Sequence, residues 1–165
     1  MTLLVLSDSH GRADLVREIM EMHRDAAAVF FLGDGLRDLP ETTHCPLVRV
    51  RGNCDVFTLF DLDPAPDECT EIFGGKRILA MHGHTRSVKS GVMSAAAAGL
   101  EAGADIVCFG HTHQQFSYYI PPGEQMFGRT LEKPLYLFNP GSVNSREFGL
   151  ITIRENGILL SHGRL

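Results

Sequence analysis

Asp8, His10, Asp34, Asn53, His82, His111 and His113 are carboxylate, amide and imidazole side chains, and each sits in a short glycine- or serine-containing block just after a hydrophobic run. Oxygen and imidazole donors of this kind suit divalent ions, and seven of them serve two ions if one carboxylate is shared. Asp34 is the candidate for sharing. It stands between Gly33 and Gly35, where the backbone can bend closely around an ion and leave both carboxylate oxygens free, one for each metal. Asn53, in Gly52-Asn53-Cys54-Asp55, adds a neutral oxygen, which matters because each further carboxylate would cancel charge needed by an anionic substrate. Asp8-Ser9-His10 brings a carboxylate and an imidazole two residues apart, and His82-Gly83-His84 and Gly110-His111-Thr112-His113 complete the set. A single His-x-His pair is weak evidence for a metal; five such blocks in this order are not.

The elements that must position these blocks follow from hydrophobic periodicity. Residues 3–6, 29–32, 78–81 and 106–109 are continuous apolar runs that read as buried strands, so each donor block begins where a strand ends. In open α/β sheets, ligands bind at those ends. Residues 11–24, with Leu15, Val16, Ile19, Met20 and Met22 at helical spacing, predict an amphipathic helix and a first β-α-β unit. Val48 and Val50 end a third short strand, 61–67 reads as an exposed loop rich in proline and acids, and 70–73 with 76–81 form a hairpin around Gly74-Gly75. Residues 90–102 are an alanine-rich helix capped by Gly103 before a strand at 105–109. Short strands at 116–120, 135–138, 148–153 and 157–162, with a turn at Glu155-Asn156-Gly157, predict a largely antiparallel second half. Residues 121–134, carrying Arg129 and Lys133, form a long loop that is a lid, an oligomer contact or a plain surface insertion. The order of elements predicts an α/β chain (α+β by some schemes) with two mixed sheets flanked by helices.

At 165 residues, one domain spanning 1–165 is the simplest organisation. The net charge of −5 argues against nucleic acid as a stable partner and against an anionic membrane surface. No apolar stretch approaches the roughly 20 residues that span a bilayer, and Met1 runs almost directly into the first apolar strand, so a cytoplasmic protein is expected. Cys45, Cys54, Cys69 and Cys108 show no CxxC spacing, and all but Cys54 read as buried or loop thiols in a reducing compartment.

Together the blocks resemble the D-x-H, GD, GN, GH and GH-x-H motifs of the calcineurin-like metallophosphoesterase superfamily over nearly the whole chain. The small size, Gly52-Asn53-Cys54-Asp55 and Asn139-Pro140-Gly141-Ser142 resemble the YfcE-like phosphodiesterases within it. The resemblance implies a four-layer α-β-β-α sandwich. It also implies one ion on Asp8, His10, Asp34 and His113 and a second on Asp34, Asn53, His82 and His111, with His84 left as a solvent-facing or supporting histidine. Asn53, Cys54, Asp55 and His82 are the candidate catalytic group. Relatives of this kind form dimers or tetramers, so a homo-oligomer is among the expectations.

A charge count then gives the chemistry. Two divalent ions bring four positive charges, and Asp8, Asp34 and a bridging hydroxide remove three, leaving about one to meet a phosphodiester. Hydrolysis by that hydroxide, in line at phosphorus, needs no covalent intermediate. Mn2+ is the first expectation for the metal, with Fe, Ni, Co and Zn also compatible with the donor types. Where many superfamily members have a histidine after the motif asparagine, this chain has Cys54, whose thiol is a poor match to an imidazole as a proton donor at neutral pH. Asp55 is expected to orient a ligand imidazole, that of His10, and Asn139-Pro140-Gly141-Ser142 to shape the floor of the site. Arg86, Lys89 and Arg146 are candidate phosphate contacts. The alternative is a catalytically weak or inactive protein-interaction module on the same fold, as in the retromer subunit. A protein phosphatase is disfavoured by Cys54 and by the short chain.

Overall fold

A strand without polar alternation must be covered on both faces, and β1 (Thr2–Leu6) meets that condition with Leu3, Leu4, Val5 and Leu6 all fully buried. The computed structural model describes residues 1–55 and 64–165. After β1 come α1 (Ala13–Met22), β2 (Ala28–Phe31), β3 (Leu47–Arg49), β4 (Glu68–Phe73), β5 (Lys76–Met81), α2 (Met93–Glu101) and β6 (Ile106–Phe109). The chain continues through β7 (Gln115–Ile120), β8 (Gln125–Met126), β9 (Arg129–Thr130), β10 (Leu135–Pro140), β11 (Glu147–Arg154) and β12 (Gly157–Arg164).

Two five-stranded sheets result, in the orders β12-β11-β1-β2-β3 and β4-β5-β6-β10-β7. Both are mixed: β1, β2 and β3 run parallel beside antiparallel β11, and β5, β6 and β10 run parallel between antiparallel β4 and β7. The period-2 alternation of side chains sorts the core into three layers. Leu3, Val5, Phe30, Ile78, Ile106 and Phe138 fill the space between the sheets. Leu4, Leu6, Val29 and Phe31 meet Leu15, Val16 and Ile19 of α1 on one outer face. Leu79, Val107 and Leu137 meet Ala95, Ala96 and Ala98 of α2 on the other. This is the expected α-β-β-α sandwich. Small residues let α2 lie close to its sheet: a Cβ on Gly99 would stand 2.4 Å from Val107 Cγ2.

Several local expectations change. Helix α1 is shorter than 11–24, since Gly11 still has φ 90° and its amide donates to Asp38. Helix α2 starts at Met93 rather than at 90, because 3-10 turns at His84–Arg86 and Val88–Ser90 come first, joined by Ser87 at φ 52°. The second half is largely antiparallel, as expected, through β7-β10, β8-β9 and β11-β12, with β10 parallel to β6 as the exception. The loop expected at 61–67 lies partly outside the described residues. Residues 121–134 contain the hairpin β8-β9 instead of a bare loop, with Leu131 buried. Lys133 fastens that segment to Gly103 O (2.9 Å) and Asp105 Oδ1 (2.8 Å) just before β6. This is the end of β6 away from His111, so the lid expectation is not met. Among the described residues no helix is long and apolar enough to cross a membrane.

Candidate metal centre

The carboxyl ends of β1, β2, β3, β5 and β6 release, in turn, Asp8, Asp34, Asn53, His82 and His111. Five of the seven candidate donors have left-handed backbones: Asp8 (φ 55°), His10 (46°), Asp34 (56°), His111 (67°) and His113 (57°). Only three other described non-glycine residues share that conformation. Each such residue costs about 1–3 kcal/mol, and that strain persists only where the surroundings over-determine it. Here it turns side chains from separate strands toward one point.

All seven donors converge. Asp8 Oδ1 lies 3.1 Å from His113 Nε2 and 3.7 Å from His10 Nε2, while those two nitrogens are 3.2 Å apart. Asp34 Oδ2 lies 3.4 Å from His82 Nε2 and 4.0 Å from His10 Nε2. His82 Nε2 is 3.2 Å from Asn53 Oδ1 and 3.1 Å from His111 Nδ1. Asp8, His10 and His113 thus form one group and Asp34, His82 and His111 another, with Asp34 Oδ2 facing both.

The donor set fits divalent ions on its own chemistry. Asp8 is fully buried, its Oδ2 accepts from Ser7 Oγ (2.6 Å) and the His111 amide (3.0 Å), and its Oδ1 has no hydrogen-bond partner. A buried carboxylate oxygen left bare is costly unless a cation meets it. Two facing ring nitrogens at 3.1–3.2 Å can share at most one proton, yet that is about the separation of two imidazoles on one ion. His82 Nδ1 is 2.7 Å from Leu32 O; as the donor there it leaves Nε2 free as an electron-pair donor.

The surrounding residues hold these donors in place. Gly52 and Gly110 are required by close approach: a Cβ on Gly52 would stand 2.0 Å from Asp34 Oδ1, and one on Gly110 2.0 Å from Ser7 Oγ. Cys54 N–H donates to Asp34 Oδ1 at 2.7 Å, which corrects the expectation that both Asp34 oxygens stay free. The Asp55 carboxylate accepts the backbone amides of Asp34 (2.8 Å), Gly35 (2.9 Å), Leu36 (2.9 Å) and Gly52 (2.8 Å). It therefore clamps the second and third motifs together, in place of the expected bond to the His10 imidazole.

Asn139 Nδ2 donates to Gly110 O (2.9 Å) and Thr112 Oγ1 (3.1 Å), and Ser142 Oγ to Asp8 O (2.8 Å), so the Asn139–Ser142 turn braces both the first and the last motif. Arg86 is held by Glu68 through two bonds of 2.6 and 3.0 Å, which removes it from the candidate phosphate contacts. His84 lies beside the centre, its ring 5.4 Å from that of His82, and its buried Nδ1 has no partner.

Asp38 was not singled out in the sequence. It is buried and accepts Ser9 Oγ (2.5 Å) and Gly11 N–H (2.8 Å), tying the Asp8-Ser9-His10 turn to the 3-10 turn that follows Gly35. Its only sequence signal is an aspartate four positions past the GD block, which any capping residue would also give.

Electrostatics separate the two histidines of the second group. Burial works against charge on His82, but its hydrogen bond to Asp34 and the charges of Asp8 and Asp34 outweigh it and raise the imidazole pKa. Burial, the His82 charge and Lys89 lower His111 to about 4. Burial also opposes ionisation of Asp34, yet the His82 contact and the Cys54 N–H hold the carboxyl well below its usual range. Asp34 is thus an anion and His111 neutral at neutral pH.

The domain model of the calcineurin-like phosphoesterase superfamily matches residues 1–155, and the chain belongs to that superfamily. It is therefore a metallophosphoesterase-fold protein, of a family whose members use divalent metal ions. A curated relative, the probable metallophosphoesterase YsnB of Bacillus subtilis (strain 168), is 27% identical over 157 residues, 94% of this chain and 86% of that protein. Among solved structures, a conserved uncharacterized protein of Streptococcus pneumoniae TIGR4 superposes with a TM-score of 0.76 at 21% identity, over 99% of this chain and 88% of the other. A novel archaeal phosphodiesterase gives 0.66 at 18%, over 99% and 100%. Vps29 of Chaetomium thermophilum gives 0.70 at 17%, over 99% and 97%. These structural likenesses concern the fold.

Proposed function

We propose that this chain, as one domain of residues 1–165, is a phosphodiesterase that works with two divalent ions, Mn2+ as the working pair, on a small phosphodiester. Asp8, His10, Asp34 and His113 would hold one ion, and Asp34, Asn53, His82 and His111 the other. The observation that carries this reading is Asp8 Oδ1, fully buried and without a hydrogen-bond donor among three imidazoles. When bound, the ion pair supplies Lewis acidity, acidifying water and neutralising charge on the phosphoryl oxygens.

The chain's own residues do the rest. Asp34 keeps Oδ2 toward both groups because the Cys54 amide anchors Oδ1. Asn53 supplies an uncharged oxygen, so two carboxylates and a hydroxide would leave about one positive charge to meet the single negative charge of a diester. Cys54, exposed beside Asp34, stands where an imidazole would protonate a leaving oxygen. Diesters whose leaving groups depart without proton donation are the favoured class. The four free cysteines accord with a reducing, cytoplasmic setting.

The interaction-module reading draws on the Vps29 likeness, but all seven candidate donors are present and converge here, which favours an enzyme. Metal loading followed by a chromogenic diester assay tests the proposal. Two tightly held ions with hydrolysis are expected, and a metal-free, inert protein overturns the reading.

A further inference from the structure

Resting on the proposed centre, a third donor group overlaps it. Donor atoms of His10, Asp34 and Cys54 all lie within 4.8 Å of one another, with His10 and Cys54 exposed to an incoming ion and Asp34 buried behind them. A thiol, an imidazole and a carboxylate make a softer set than either neighbouring group, and thiolate sulfur favours Zn2+ and Cd2+ over Mn2+. In a tetrahedral zinc site the donors stand about 3.5 Å apart, so small side-chain rotations close this triangle around an ion.

Two further features point to a ligand here. Asn53 turns its Oδ1 toward His82 and its Nδ2 toward Cys54 Sγ, at 3.3 Å, so one amide links the sulfur to the proposed centre. Asp8 Oδ1, buried and making no hydrogen bond, lies 3.7 Å from His10 Nε2 and offers a fourth donor, an anionic one, beside the group.

We propose that Cys54, with His10 and Asp34, forms a capture position for a thiophilic divalent ion, Zn2+ or Cd2+, which overlaps the Mn2+ position built on His10 and Asp34. Capture breaks the Cys54 S–H bond, passes the proton to solvent and forms a metal–sulfur bond. No electron is transferred. Since His10 and Asp34 are common to both, a soft ion and the first Mn2+ exclude each other, and zinc acts as a competitor of the manganese form.

Zinc-edge X-ray absorption on the protein loaded with one equivalent of Zn2+ tests this, with Cys54→Ser alongside and Mn2+ stoichiometry measured on both. The expected result is a sulfur scatterer at about 2.3 Å in the unaltered protein and its loss in Cys54→Ser, which still takes up two Mn2+. A shell of only nitrogen and oxygen overturns the capture position, as does sulfur that persists in Cys54→Ser. If those results come with two bound Mn2+, the phosphodiesterase reading stands without it. If the protein binds neither metal, both readings fail.

Discussion

The carboxylate of Asp55 receives the backbone amide of Asp34 at 2.8 Å, so the residue that fixes the backbone of the proposed bridging aspartate belongs to a different motif. Asp34 takes its left-handed backbone with that bond, and Asp55 holds Gly35, Leu36 and Gly52 by the same means. The GD and GN blocks are thus one unit, joined at a carboxylate.

Asp55→Ala strands four part-buried amide donors at once. The expected loss is at least about 3 kcal/mol of unfolding free energy, since hydrogen bonds to charged groups contribute about 1.5–3 kcal/mol each. Urea unfolding of the metal-free protein measures it. Asp55→Asn, which keeps one acceptor oxygen, should fall between; a loss under about 0.5 kcal/mol for Asp55→Ala would show that solvent replaces the clamp.

Asp38 holds the Ser9 hydroxyl and the Gly11 amide, and so would act on the proposed first ion through the Asp8-Ser9-His10 turn. Asp38→Ala should weaken the first ion about 10- to 100-fold, the range for loss of a residue that supports a metal ligand, and leave the second nearly unchanged. Asp38→Asn should recover part of the affinity. Calorimetric titration with Mn2+ resolves the two steps, and equal weakening of both would contradict this division of labour.

The seven candidate donors were legible in the sequence because they fall in five blocks, each following one strand. A continuous apolar run ending in Asp8 or His82 marks both the strand and where it stops. What supports the donors was not legible. Asp38, Asn139 and Ser142 act on residues far off in sequence, and only the sheet order brings them near. Asp55 was misassigned for the same reason: its spacing from His10 says nothing about which group faces it. The two oxygens of Asp34 differ only because the chain returns at Cys54. The parallel pairing of β10 with β6 was hidden as well, since the short antiparallel β7 comes between them in sequence.

His82→Ala or Asn53→Ala should lower diester turnover by orders of magnitude and leave the fold intact, through loss of the second ion. Both side chains lie past the carboxyl ends of their strands and outside the hydrophobic cluster between the sheets, Asn53 exposed and His82 buried. Metal content should drop from two ions to one while the circular dichroism spectrum is unchanged. Unaltered turnover would count against these roles.

Metal uptake should also release a proton near neutral pH. In the metal-free chain the Asp34 contact and the Asp8 and Asp34 charges overcome burial and raise His82 above the ordinary imidazole value, and an ion can bind its Nε2 only after that proton leaves. His111, lowered to about 4, has none to lose. Affinity for the second ion should therefore weaken as pH falls through the raised His82 value and level off above it. Titration in buffers of different ionisation enthalpy counts the proton, and no release at pH 7 would contradict the assignment.

The most direct test of the shared Asp34 carboxylate is electron paramagnetic resonance of the protein loaded with Mn2+. Two ions joined through one carboxylate should give an exchange-coupled spectrum, and Asp34→Asn should lose the coupling together with at least one ion. Two uncoupled signals, or a single ion in the unaltered protein, would contradict a centre built on Asp34 Oδ2.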